Sequence, residues 1–112
     1  MSNPPVFPDD ENGNKLRRMY EDGEDLSQKR DIAFTVLLPD SDAVQEFGSY
    51  FYNLGLQVKA KRNDSGSGLP WNVVVTVNML PTYETITDFE QKVEKVVVPL
   101  GGRSEGWRYS QV

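Results

Sequence analysis

The order of periodicities constrains this chain more than any other feature. Residues 32–38 alternate strictly, with Ile32, Phe34, Val36 and Leu38 on one face and Ala33, Thr35 and Leu37 on the other. A side-chain period of two marks a β-strand, here ended by Pro39. The period then changes. Asp40 or Ser41 caps a helix whose stripe is Val44, Phe47, Phe51 and Leu54, and Gly55 stops it. Alternation returns with Leu56, Val58 and Ala60 set against Gln57, Lys59 and Lys61. After the loop at residues 63–68 the same order recurs. Residues 71–80 are the strand richest in β-branched residues. Pro81 and Thr82 open a second helix with Ile86, Phe89, Val93, Val96 and Leu100 as its stripe. Pro99 lacks an amide donor, so that helix is expected to finish near Val98, before Gly101 and Gly102 turn the chain. Residues 105–112 read as a fourth strand, and Trp71 and Trp107 as core or rim anchors at the starts of strands three and four.

Two strand–helix–strand halves joined by a hairpin dictate one topology. Right-handed crossovers give an α+β, ferredoxin-like βαββαβ sandwich: a four-stranded antiparallel sheet with two helices on one face. A short N-terminal helix precedes it, capped by Asn14, carrying Leu16, Met19 and Tyr20 and stopped by Gly23. Three of the seven prolines and an acidic triplet fall in residues 1–13, which read as a flexible leader to a domain spanning 14–112.

The residue inventory narrows the chemistry. Among 112 residues there is no cysteine and no histidine. That excludes a disulfide framework, a thiolate nucleophile, a cysteine or histidine zinc site and a histidine general base. No catalytic, metal or cofactor-binding residues are assigned, no cofactor is expected, and the chain reads as a non-enzyme. Twelve basic side chains against 17 acidic ones leave a net charge of −5, which favours a basic partner over nucleic acid or an anionic membrane. With no signal sequence and no apolar run of membrane-spanning length, a cytoplasmic location is expected.

Candidate contact residues come from the surfaces this fold would expose. The open sheet face would carry Thr35, Leu37, Lys59, Lys61, Val74, Thr76, Asn78 and Arg108, without the stacking aromatics of an RNA-reading sheet. Direct nucleic-acid binding is therefore disfavoured. The glycines of residues 63–68 join two strands and open no helix, so they form no phosphate cradle. Asp22, Glu24 and Asp25 form an acidic patch suited to steering a basic partner, and Tyr50 and Tyr52 are candidate exposed contacts.

Several short motifs fall in one order: Glu21-Asp22-Gly23-Glu24-Asp25-Leu26, the strand at 32–38, Met79-Leu80-Pro81-Thr82, Leu100-Gly101-Gly102 and Glu105-Gly106-Trp107. Together, over residues 14 to 109, they resemble the regulator of ribonuclease E activity B (RraB) family. The resemblance implies a ferredoxin-like domain whose studied members bind the endonuclease ribonuclease E through its non-catalytic scaffold region and inhibit it. It also implies structural roles. Gly23, Asp25 and Leu26 would form the turn from the N-terminal helix to strand one, Pro81 the junction into helix two, and Gly101, Gly102, Gly106 and Trp107 the entry to strand four. Studied inhibitors carry a long acidic C-terminal tail, whereas this sequence stops at Val112, so less acidic charge is expected for docking.

The expected function is therefore a non-catalytic protein-interaction module that regulates RNA decay by binding ribonuclease E or another RNA-processing enzyme. The alternative is a small-molecule-sensing or self-associating ferredoxin-like domain with no ribonuclease E role.

Overall fold

The computed structural model describes residues 7–62 and 68–109. In chain order these form α1 (Glu11–Glu21), β1 (Arg30–Leu38), α2 (Ser41–Tyr52), β2 (Gln57–Arg62), β3 (Trp71–Met79), α3 (Tyr83–Val97), a 3-10 turn (Val98–Leu100) and β4 (Arg103–Tyr109). The antiparallel sheet runs β2-β3-β1-β4, the ferredoxin-like order expected from the alternating periodicities. The rest of the expected leader (1–6), most of the 63–68 loop and the last residues expected in strand four (110–112) lie outside the described residues.

Each helix begins and ends for a local reason. Asp10, Asp40 and Thr82 are the N-caps, accepting the amides of Gly13, Ala43 and Thr85 at 2.8, 2.8 and 3.1 Å. Each satisfies an amide that has no partner within its helix. At the other ends the amides of Glu24, Leu56 and Gly102 donate back to the carbonyls of Met19, Phe51 and Val97, a Schellman-type closure repeated at all three helices. The 3-10 turn takes up Pro99 after α3 ends at Val97, close to where that proline predicts.

Several sequence expectations move. The first helix is capped by Asp10, not Asn14. The Asp10 side chain takes the Gly13 amide while its carbonyl takes the Asn14 amide at 2.8 Å, so helix covers residues the composition assigned to a leader. Leu54 is exposed, because α2 ends at Tyr52 and the stripe ends with it. Ala60 is also exposed, since β2 lies at the sheet margin. Trp107 does not begin the fourth strand but lies four residues inside it. A bulge conceals this: Phe34 pairs with Trp107 and Val36 with Ser104, so Glu105 and Gly106 together oppose Thr35. Gly106 stands at φ +96°, a conformation other L-residues rarely adopt, and its presence lets the strand step past the extra residue.

The core lies between the sheet and the helices. Ile32, Phe34, Val36 and Leu38 meet Val73 and Val75, Phe47 and Phe51 of α2, and Ile86, Val93 and Val97 of α3, all fully buried. Phe34 and Phe51 contact Phe89 with ring centroids at 4.6 and 5.8 Å, tying sheet, α2 and α3 together. Leu16 and Met19 seat α1 in the same core, with Leu26 packed at its edge. Tyr20, expected to dock with them, is 45% exposed, with its ring centroid 6.3 Å from that of Phe7.

Candidate functional site

Helix α1 is held by a polar knot. Asn12 occupies a buried position on the same stripe as Leu16 and Met19. Its Nδ2 donates to Thr87 Oγ1 at 3.2 Å and Glu90 Oε1 at 3.1 Å, and its Oδ1 accepts the indole N–H of Trp107 at 2.8 Å. Lys15 lies alongside, with its ammonium 4.2 Å from the centroid of the Trp107 ring and donating to the Trp107 carbonyl. Burial lowers the pKa of Lys15, while the nearby carboxylates of Glu11 and Glu90 oppose that shift. One asparagine thus joins α1, α3 and β4.

Above this knot the carboxylates of Glu11, Glu90, Glu94 and Glu105, with Ser104 and Gly106, line a groove of about 310 Å³. Four acidic side chains from α1, α3 and β4 around one depression make a receptive surface for lysine or arginine. No group of three or more acidic side chains among the described residues is arranged to hold a metal ion.

A second groove, of about 440 Å³, is lined by Phe7, Tyr20, Leu26, Pro81 and Tyr83 together with Glu24 and Asp25. Tyr83 donates to Asp10 at 2.5 Å. That bond, with the Gly13 amide, holds the Asp10 carboxyl below its ordinary value, and the same bond raises the Tyr83 phenol. Asp25 also lies low, because the Ser27 hydroxyl and amide donate to its carboxylate.

The sequence candidates divide between two regions. Glu24, Asp25 and Leu26 converge on the aromatic groove, and Asp22 caps α1 with its side chain in solvent. Glu24 also has a structural task, pairing at 2.7 Å with Arg30, whose side chain is only 1% exposed. Arg30 further donates to the Asp25 carbonyl at 3.0 Å and lies 5.6 Å from the Tyr109 ring centroid. Tyr50 and Tyr52 are exposed but stand elsewhere, on α2 above β2, at the far margin of the sheet from β4. The glycine and tryptophan motifs act in the fold. Gly23 occupies the left-handed end of α1, Gly101 that of the 3-10 turn, and Trp107 is buried in the polar knot.

Sequence reading missed Asn12, Lys15, Arg30 and the four-glutamate groove. Asn12 carried a signal: it is a polar residue in step with Leu16 and Met19, at i+4 and i+7. The glutamates carried none, because three separate elements contribute them.

On the open sheet face, Lys59, Lys61 and Arg108 surround a depression of about 640 Å³ floored by Thr35, Asn72, Val74 and Thr76. Arg62, the residue after Lys61, falls on the helical side by its register, with its guanidinium 6.0 Å from the Trp71 ring centroid.

These features define a class: a small ferredoxin-like α+β sandwich whose surface carries an acidic and an aromatic groove. The chain belongs to the RraB family, described as Regulator of ribonuclease activity B, which it matches over residues 9–108. No curated protein matches the sequence. The family regulates ribonuclease activity. No helix among the described residues is long and apolar enough to cross a membrane.

Proposed function

We propose that this protein is a non-catalytic, cytoplasmic regulator that binds ribonuclease E and slows RNA cleavage by occlusion. The observation that carries the reading is the acidic groove of Glu11, Glu90, Glu94 and Glu105, considered with membership of a family of ribonuclease regulators. A basic segment of the enzyme fits there by charge, and the aromatic groove with Glu24 and Asp25 offers a separate apolar contact. Asp22, exposed at the C-terminal end of α1, adds negative charge next to Glu24 in the sequence, while Tyr50 and Tyr52 are left for a different contact.

The test is a cleavage assay with purified ribonuclease E and a single-stranded RNA substrate. Added protein slows cleavage in proportion to its occupancy of the enzyme, and alone it cuts nothing. Unchanged cleavage at saturating protein contradicts the proposal.

The aromatic groove also favours a second reading, a small-molecule sensor, because its volume falls in the range of ligand pockets, roughly 300–1,000 Å³. A metabolite that binds the native state raises the thermal midpoint. Self-association through stacked sheet faces is disfavoured, since it brings Lys59, Lys61 and Arg108 of two copies together.

A further inference from the structure

We propose that the outer margin of β2, together with the groove between β2 and α2, docks an extended peptide segment in which carboxylate and apolar side chains alternate. Strand β2 is at the end of the sheet and is exposed along nearly its whole length; among the described residues no segment pairs with its outer side. An edge strand presents unpaired amides and carbonyls, and an added strand completes them while directing its side chains alternately to the two faces.

The two faces here ask for different chemistry. On the open side stand Lys59 and Lys61, two residues apart, so they meet successive same-side residues of an added strand. On the helical side Val58 forms a groove of about 350 Å³ with Val44, Gly48 and Tyr52. Tyr52 is 72% exposed at its rim. An acidic residue suits the first side and an apolar one the second, which specifies the alternation.

Gly48 supports this use of the groove. Glycine inside a helix is unfavourable, yet no backbone crowding requires one here: a Cβ at Gly48 would stand 3.6 Å from Val58 Cγ1, an ordinary contact. What the missing side chain provides is space in the groove.

The lysines also decide against the simplest competing occupant. Antiparallel pairing of β2 with a second copy, open faces kept on one side, sets Lys59 opposite Lys59 or Lys61. Like charges directly opposite across strands are destabilising. Edge lysines therefore discourage self-pairing and select an acidic strand. This site is separate from the acidic groove at β4 and takes a partner of the opposite charge.

The probe is a fluorescein-labelled peptide of about ten residues alternating Glu and Val, long enough to cover the six residues of β2. Anisotropy at low salt is expected to show saturable binding, with NMR amide shifts concentrated in β2 and α2. K59E/K61E should weaken binding at least about tenfold and acquire affinity for the matching peptide with Lys in place of Glu. Gly48→Leu should fill the groove and abolish binding, and its thermal midpoint, read beside that of Gly48→Ala, separates a filled groove from a lost fold. Absence of saturable binding, equal binding by K59E/K61E, or binding indifferent to Gly48→Leu would overturn the proposal. So would a single-stranded RNA of similar length that outcompetes the peptide, since that would make the lysines a general anion site.

Discussion

Asn12 satisfies three groups at once: the Trp107 indole, the Thr87 hydroxyl and the Glu90 carboxylate. Asn12→Ala leaves the buried indole N–H without its acceptor and is expected to cost about 1–3 kcal/mol. Chemical denaturation followed by tryptophan emission checks this, with a lower midpoint and an unchanged slope. Glu24 also carries more than surface charge. Removing it takes the carboxylate partner from the buried Arg30 guanidinium and leaves that cation the Asp25 carbonyl, and breaking a buried pair costs up to about 3–5 kcal/mol. Any loss of partner binding in a Glu24 variant must therefore be judged beside its stability. Asp10 gives the pH dependence. Its carboxyl is held below the ordinary 3.8 by Tyr83 and the Gly13 amide. The stabilisation is complete above the unfolded value and disappears as pH falls through the lower folded value. Tyr83→Phe should bring the Asp10 titration, read by carboxyl NMR, back toward its ordinary position and flatten the acid-side loss of stability. An Asp10 titration unmoved by that change would contradict the assignment.

At the scale of elements, the turn from α3 into β4 has little room to adapt. A Cβ at Gly102 would come within 2.3 Å of the Leu37 carbonyl oxygen and 2.8 Å of Val97 Cγ2, so strand and helix are both in the way. Gly102→Ala is expected to destabilise by about 3 kcal/mol through overpacking, visible as a lower thermal midpoint. Much of this architecture was legible in the sequence because it is periodic. The alternation of residues 32–38 and the β-branched content of residues 71–80 placed the central strands, and the Phe47–Phe51 and Ile86–Val93 spacings placed the helices that cover them. Where the period breaks, the sequence misleads. The β4 bulge hid Arg103 and Ser104 from the strand pattern, and proline-rich, acidic neighbours masked the true start of α1 at Glu11. The candidate site was legible only in part. Glu24 and Asp25 are neighbours in sequence and remain so in space, whereas Glu11, Glu90 and Glu105 meet only after three elements have packed.

Charge is distributed unevenly over the whole molecule. Glutamates from α1, α3 and β4 gather at one groove, while Lys59, Lys61 and Arg108 occupy the open sheet face, so a net charge of −5 conceals two surfaces of opposite sign. A regulator built this way can engage a basic segment of its target on one side and remain free on the other. The measurement that tests the central claim most directly is titration of purified ribonuclease E with this protein at low and moderate salt. Alongside it, the triple variant E11Q/E94Q/E105Q spares Glu90, which bonds Asn12. The account predicts a saturable complex that weakens as the Debye length falls from about 10 Å at 0.1 M toward 3 Å at 1 M salt, and that the triple variant weakens at low salt without losing its fold. No complex, or one indifferent to both salt and the three substitutions, would contradict it.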